Sequence, residues 1–245
     1  MKNILLMSGH GDGDPGAVAL GYQEADLTRE LTEAVRMKLS PYANVTVFDM
    51  SKNPYKWLKA NEFNFKKYSY VFEVHFNAAV NDRVGDGKTT GTEILVHPQE
   101  TGTKVEQCIL KRITALGFRD RGIKKRDNLQ NMNLCKRNQG VSYALLETCF
   151  IDDRDDMNLY IKKKNAVAEA IAMGIVEGFG LKAKENETMG FNDIKGHYAE
   201  SAINDLLSMG IVKGNGDGTF SPDTNIKRGD AAIMVRNALK FITGK

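Results

Sequence analysis

The chain has 245 residues, 42% hydrophobic and 27% charged, a balance that suits a soluble globular protein with room for one α/β domain and a small second unit. Its formal net charge is only +3 and no basic block is interleaved with aromatics, which argues against a nucleic-acid partner. The three cysteines, Cys108, Cys135 and Cys149, are odd in number and lack CxxC spacing, so neither a disulfide framework nor a structural zinc finger is expected. No apolar run approaches the ~18 residues of a membrane span, so no membrane partner is expected. The run Ile4-Leu5-Leu6-Met7 is too short for a signal peptide and leads straight into His10.

Taken in chain order, a strand is expected over 2–8. A helix follows over 23–39, where Leu27, Leu31, Ala34, Val35 and Leu39 recur at helical spacing and Ser40-Pro41 stops the pattern. A strand over 44–49, a helix over 54–66 and a strand over 69–75 come next. The stretch 76–90, with Gly85, Asp86, Gly87 and Lys88, reads as an exposed loop. After a strand over 91–96 and a helix over 99–116, the Arg-, Lys- and Asn-rich stretch 118–140 reads as irregular. A strand over 143–149 and a helix over 155–178 complete the alternation. This pattern predicts a three-layer α/β/α domain with a mostly parallel twisted sheet. The polar stretch 182–190 has no apolar period and reads as a linker. Beyond it, helices at 198–209 and 228–241 form a small helical C-terminal domain.

Four polar residues stand where special chemistry is expected. His10 ends the first apolar run and is followed by Gly11-Asp12-Gly13-Asp14-Pro15-Gly16. His75 ends Tyr70-Val71-Phe72-Glu73-Val74, and Glu147 ends Tyr143-Ala144-Leu145-Leu146. Open α/β folds gather their chemistry at such strand ends. Glu24 opens the first long helix, from which its carboxylate can lean back towards them. His10, Glu24 and His75 can supply the three protein ligands of a catalytic zinc, and Glu147 is the candidate proton carrier. Singly, a strand-end histidine is often just a satisfied polar residue, and a strand-end glutamate can pair with an arginine. Convergence of all four favours the site.

These residues sit in motifs that resemble the zinc-dependent N-acetylmuramoyl-L-alanine amidases of the amidase-3 type. The motifs are Ser8-Gly9-His10-Gly11 with Asp14-Pro15-Gly16-Ala17, then Glu24, then Val74-His75-Phe76-Asn77-Ala78, then Leu146-Glu147-Thr148-Cys149-Phe150-Ile151. The resemblance covers about residues 1–180. It implies one Zn2+ held by His10, Glu24 and His75, catalysis by Glu147, and cleavage of the amide between N-acetylmuramic acid and L-alanine of the stem peptide. Phe76 stands where the family usually has a small residue, and Asp152-Asp153 replaces an Asn-containing turn. Both departures are expected to touch the rim of the site more than its zinc chemistry. Asn77 is expected either to position substrate or to cap a loop. Arg121, Lys124 and Lys125 are candidates to meet a peptide carboxylate, with a solvated basic face as the alternative. His97 is expected to be structural.

Residues 191–239 resemble a single S-layer homology (SLH) repeat. The matching residues include Phe191-Asn192-Asp193-Ile194, His197-Tyr198-Ala199, Gly210-Ile211-Val212, Asp217-Gly218-Thr219-Phe220-Ser221-Pro222 and Arg228. The resemblance implies binding to a Gram-positive cell-wall polysaccharide, with Arg228 suited to an acidic sugar. Such repeats usually occur in threes, so self-association through a lone repeat is a further expectation.

The expected organisation is a zinc amidase over 1–181, a linker over 182–190 and an SLH-like wall-binding domain over 191–245. The expected function is a peptidoglycan hydrolase of the phage or prophage endolysin kind. Without a signal peptide it would stay in the host cytoplasm until released, then act at the wall. The alternatives are a zinc peptidase cutting within the stem peptide and a non-catalytic wall-binding protein.

Overall fold

The apolar runs become strands and the amphipathic stretches become helices in the computed structural model, which describes residues 1–79, 81–183 and 191–243. The first strand, β1 (Asn3–Ser8), leads into a turn and a two-residue hairpin, β2 (Val18–Ala19) and β3 (Tyr22–Gln23). Helix α1 (Glu24–Leu39) follows, then β4 (Asn44–Val47), α2 (Pro54–Ala60), β5 (Tyr70–Asn77), β6 (Thr92–Val96), α3 (Lys104–Thr114) and β7 (Asp120–Lys125). A short helix, α4 (Gln130–Met132), continues as a π-helical turn over Asn133–Arg137 and precedes β8 (Tyr143–Phe150) and α5 (Arg154–Phe179). Asp153 caps α5 by accepting from the backbone N–H of Asp156, and Gly180 ends it in the left-handed conformation that glycine adopts readily.

The six-stranded sheet has the order β4-β1-β5-β8-β6-β7. Strands β4, β1, β5 and β8 run parallel, whereas β6 is antiparallel to β8 and parallel to β7. The starts of β6 and β7 therefore lie at the same edge as the ends of β1, β5 and β8. One face of the sheet (Ile4, Leu6, Phe72, Val74, Ile94, Leu146) packs on Leu31, Ile109 and Ile171 of α1, α3 and α5. The other face (Leu5, Met7, Val71, Leu95, Tyr143, Leu145) packs on Leu58 of α2, Phe65 of a single 3-10 turn and Met132 of α4. Strand alternation explains the division, since odd and even positions of each run go to opposite layers. Buried Cys149 is a core residue, and the three cysteines are free thiols.

Three expectations change. The stretch 118–140 is not irregular: it contains β7 and α4, and β7 escapes the apolar-run signal because as an edge strand it carries charges. The helix expected over 54–66 stops at Ala60, and the 3-10 turn Phe65–Lys67 replaces its end. Phe76 does not reach the rim of the site; it is buried with its ring 4.9 Å from that of Tyr160 in the helix-covered core.

Helix α5 lies close against α3 because Gly174 and Gly178 present no side chain there. A Cβ on Gly174 would come within 2.6 Å of the Ile109 Cα, and one on Gly178 within 2.5 Å of the Val105 Cα. Backbone cannot rotate away, so Gly174→Ala is expected to cost about 1–3 kcal/mol by overpacking. Chemical denaturation would read this; an unchanged midpoint would mean that the two helices separate freely.

The chain divides into two compact units, Met1–Lys184 and Glu185–Lys245. Of the expected linker 182–190, residues 184–190 lie outside the described residues. The second unit contains α6 (Glu200–Ser208) and α7 (Arg228–Thr243). Its buried residues include Ile194, Ile203, Ile211 and Val212, with the Phe191 and Phe220 rings stacked 5.0 Å apart. The segment 215–219 is a tight turn, in which Asp217 Oδ1 accepts from the Thr219 backbone N–H. Among the described residues, no helix is long and apolar enough to cross a membrane.

Candidate active site

At the end of β1 the chain turns sharply. His10, at φ 64°, adopts the left-handed region that non-glycine residues avoid, and Gly11, Asp12 and Gly13 also have positive φ. Such backbone costs of order 1 kcal/mol or more and persists only where its surroundings enforce it. Arg29 of α1 supplies the enforcement. Its guanidinium donates to the carbonyls of Gly9, His10, Ala25, Met50 and Lys52. Gly9 matters sterically, because a Cβ there would lie 2.2 Å from the His75 ring.

The turn brings His10 against Glu24, the first residue of α1, and His75, near the end of β5. His10 Nε2 lies 3.0 Å from Glu24 Oε2, and His75 Nδ1 lies 3.0 Å from Glu24 Oε1. The two imidazoles meet edge to face with centroids 5.0 Å apart. Glu24 is buried, and its two oxygens also accept from the backbone N–H groups of Ala17 and Phe76. Burial alone would raise its pKa, but the hydrogen bonds and charge of the two histidines outweigh that and hold the carboxyl well below the usual range. One donor atom from each of the three residues lies within 4.8 Å of the others.

Each histidine is oriented from behind. His10 Nδ1 lies 3.1 Å from Asp14 Oδ2, and Asp14 is held in turn by Asn53 Nδ2 and the Gly16 N–H. His75 Nε2 lies 3.1 Å from Glu73 Oε1. Glu73 is buried and also accepts from Tyr143 Oη and Asn131 Nδ2. Two imidazoles and a carboxylate facing one point, with further carboxylates fixing the far ring nitrogens, match a zinc site in donor type and in supporting shell. Asp14, Glu73 and Arg29 were not singled out from the sequence. For Glu73 a signal existed: an acidic residue inside an otherwise apolar strand, two positions before His75 and therefore on the same face.

Glu147 lies directly beside His75 in the β5/β8 ladder and directly opposite Glu93 in the β6/β8 ladder. These three side chains share one face and form a polar rung across the sheet. Glu147 Oε2 is buried with no hydrogen-bond partner among the described residues. Its pKa is pushed up to about 7, chiefly by burial; the nearby His75 opposes the rise, and Glu24 and Glu93 add to it.

Other expected site residues lie further along the rung. Asn77 Oδ1 accepts from the Ala78 N–H, a local cap, while its Nδ2 lies 3.4 Å from Glu93 Oε1. Arg121 and Lys124 both reach Glu93. Lys125 is not brought to this group: it occupies the opposite face of β7, and its Nζ lies 3.4 Å from the Pro98 carbonyl. His97 is buried, with Nδ1 accepting from the Gln99 N–H, in keeping with a structural role. In the second unit, Arg228 is exposed at the start of α7.

The comparisons with known proteins agree with this geometry. Residues 4–177 match the N-acetylmuramoyl-L-alanine amidase family model, and residues 190–232 match the S-layer homology domain. The chain is 29% identical over 227 residues to an endolysin of Bacillus phage SPP1, covering 89% of this chain and 78% of that one. It is 30% identical over 186 residues to the N-acetylmuramoyl-L-alanine amidase CwlM of Bacillus licheniformis, covering 73% of this chain and 67% of that one. The solved structure of the amidase AmiC2 of Nostoc punctiforme shares the fold with a TM-score of 0.60 at 20% identity, covering 73% of this chain and 97% of that one. With His10, Glu24, His75 and Glu147 inside a family match spanning most of its length, the chain belongs to the N-acetylmuramoyl-L-alanine amidases, peptidoglycan hydrolases, and carries an SLH domain C-terminal to the amidase domain in sequence.

Proposed function

We propose that the amidase is zinc-dependent, with one ion held by His10, Glu24 and His75, and that Glu147 carries the proton. The observation that carries this reading is the convergence of two imidazoles on one buried carboxylate beside a second, unpartnered one. A zinc ion held by these three residues would supply Lewis-acid polarisation of the scissile carbonyl and activation of the attacking water. Glu147 takes the proton of the attacking water in this reading and returns it to the departing alanine amine, which leaves as a neutral group. Glu24, held by two backbone N–H groups, keeps both imidazoles aimed at the same point. Asn77, Arg121 and Lys124 line the path beyond Glu147 as substrate contacts. Arg228 is proposed to meet an acidic wall polysaccharide, and the second unit to self-associate. The likeness to the SPP1 endolysin supports a lytic role at the wall.

The test is a digest of purified Gram-positive walls with and without a chelator, with the new end groups identified. New alanine N-termini without new reducing sugars, lost with chelator and restored by zinc, are expected. New N-termini on another residue would move the cut into the stem peptide, and chelator-resistant cleavage would remove the metal.

The orienting carboxylate gives an independent prediction. Glu73→Gln keeps the shape of the side chain but weakens its hold on His75 Nε2. Zinc affinity, measured by competition with a chromophoric chelator, is expected to fall about 10–100-fold. An unchanged affinity would limit Glu73 to its bonds with Tyr143 and Asn131.

A further inference from the structure

Strand β7 contains a bulge with a specific consequence for charge. Thr92 pairs with Asp120, but Ile94 pairs with Ile123, so Glu93 alone of β6 faces both Arg121 and Gly122. Gly122, at φ 79°, absorbs the extra residue, and its N–H is held by Asp120 Oδ1 at 2.8 Å. In an unbroken strand, residues three apart point to opposite faces. The inserted residue instead returns Lys124 to the face of Arg121. Both cations then converge on one carboxylate: Arg121 Nε lies 2.6 Å and Lys124 Nζ 2.5 Å from Glu93 Oε2. The Arg121 guanidinium carbon stands 4.7 Å from the centre of the Phe150 ring, within cation–π reach. Its two terminal nitrogens make no hydrogen bond among the described residues. Among these three side chains two positive charges meet one negative, and the donor end of the arginine is open.

The position of the cluster matters as much as its charge. Across the sheet, His75 on β5 is followed by Glu147 on β8, Glu93 on β6 and the cations on β7. If the scissile carbonyl faces the histidines and Glu147 reprotonates the amine, the departing peptide extends past Glu147 towards β6 and β7. We propose that Arg121 and Lys124, oriented by Glu93 on this bulged edge strand, form a subsite for a carboxylate on the peptide side of the cut, just beyond the alanine. This rests on the amidase reading above and adds a substrate preference to it: a free carboxylate over a carboxamide. Arginine suits the role because its fork can donate two hydrogen bonds to one carboxylate, whereas a carboxamide offers a single acceptor oxygen.

The test uses the full chain and two synthetic muramyl peptides that differ only in a free carboxylate or a carboxamide on the residue after alanine. Released alanine amine is followed for both. The wild type is expected to favour the carboxylate about tenfold in kcat/KM, mainly through KM, as suits one charge-assisted contact. The ratio should fall towards one in Arg121→Gln, fall partway in Lys124→Gln and be partly kept in Arg121→Lys, which retains charge without the fork. A ratio is insensitive to a uniform loss of active protein, so a folding defect cannot imitate the result. Equal kcat/KM for both peptides in the wild type, or a preference that survives both glutamine variants, would overturn the subsite while leaving the amidase intact. Cleavage of neither peptide would sink the amidase reading, and the subsite with it.

Discussion

Glu147→Gln is expected to lower turnover by about 10²–10⁴-fold, the range over which a positioned general acid–base accelerates proton transfer. The substitution is nearly isosteric, so the rung of side chains formed with His75 and Glu93 keeps its volume. What disappears is the ability to take a proton. In the wild type, Glu147 Oε2 is buried with no hydrogen-bond partner among the described residues. An unsatisfied buried carboxylate oxygen destabilises a fold, and a partner arriving with substrate and water would account for its retention here. The variant should retain zinc, measured by metal analysis, and should still sediment with purified walls. Glu147→Gln protein that retains wild-type turnover would exclude this residue from proton transfer. A variant lacking both zinc and turnover would instead assign Glu147 a part in holding the metal.

Much of this site was legible in the sequence because parallel strands announce their ends. His10, His75 and Glu147 each close an apolar run, and the structure sets those three strands side by side. Glu24 was legible because it opens a strongly periodic helix. Part of what escaped notice follows from one topological fact, the reversal of β6 and β7. A reversed strand contributes to the site from its beginning, so Glu93 stands at the head of its apolar run rather than at the tail. Arg121 and Lys124 were singled out by charge alone, and nothing local shows that a bulge at Gly122 puts them on one face while Lys125 takes the other. The orienting residues Asp14, Glu73 and Arg29 act through contacts 4, 2 and up to 23 positions away in the chain. Arg29 in particular reads as an ordinary helix-surface charge until the carbonyls of the His10 turn fold back onto it.

Glu24→Gln tests the metal reading from the side of binding rather than rate. The energy of structural zinc sites, about 10–16 kcal/mol over four ligands, suggests about 3 kcal/mol per ligand, or a hundredfold or more in affinity. An amide oxygen is a weaker donor than a carboxylate, so a zinc dissociation constant at least a hundredfold higher is expected. Thermal melting converts this into a difference that requires no substrate. At free zinc a hundred times the wild-type dissociation constant, binding stabilises the wild type by about 2.7 kcal/mol, but a variant with hundredfold weaker binding by only about 0.4 kcal/mol. For a domain of this size, each kcal/mol moves the midpoint by about 2–4 °C, so zinc should raise the wild-type midpoint by several degrees and that of the variant by about one. The metal-free variant must be melted alongside, because the substituted amide would turn a donor towards one of the N–H groups, of Ala17 or Phe76, from which Glu24 now accepts. That loss lowers the metal-free midpoint by itself, and only the increment produced by zinc bears on ligation. If zinc raises the variant as far as it raises the wild type, Glu24 serves the two histidines through hydrogen bonds alone and the ion must be held elsewhere. If the increment collapses while the metal-free protein still melts cooperatively, the buried carboxylate between His10 and His75 is a ligand, and its burial at the start of α1 is explained by the charge that it receives.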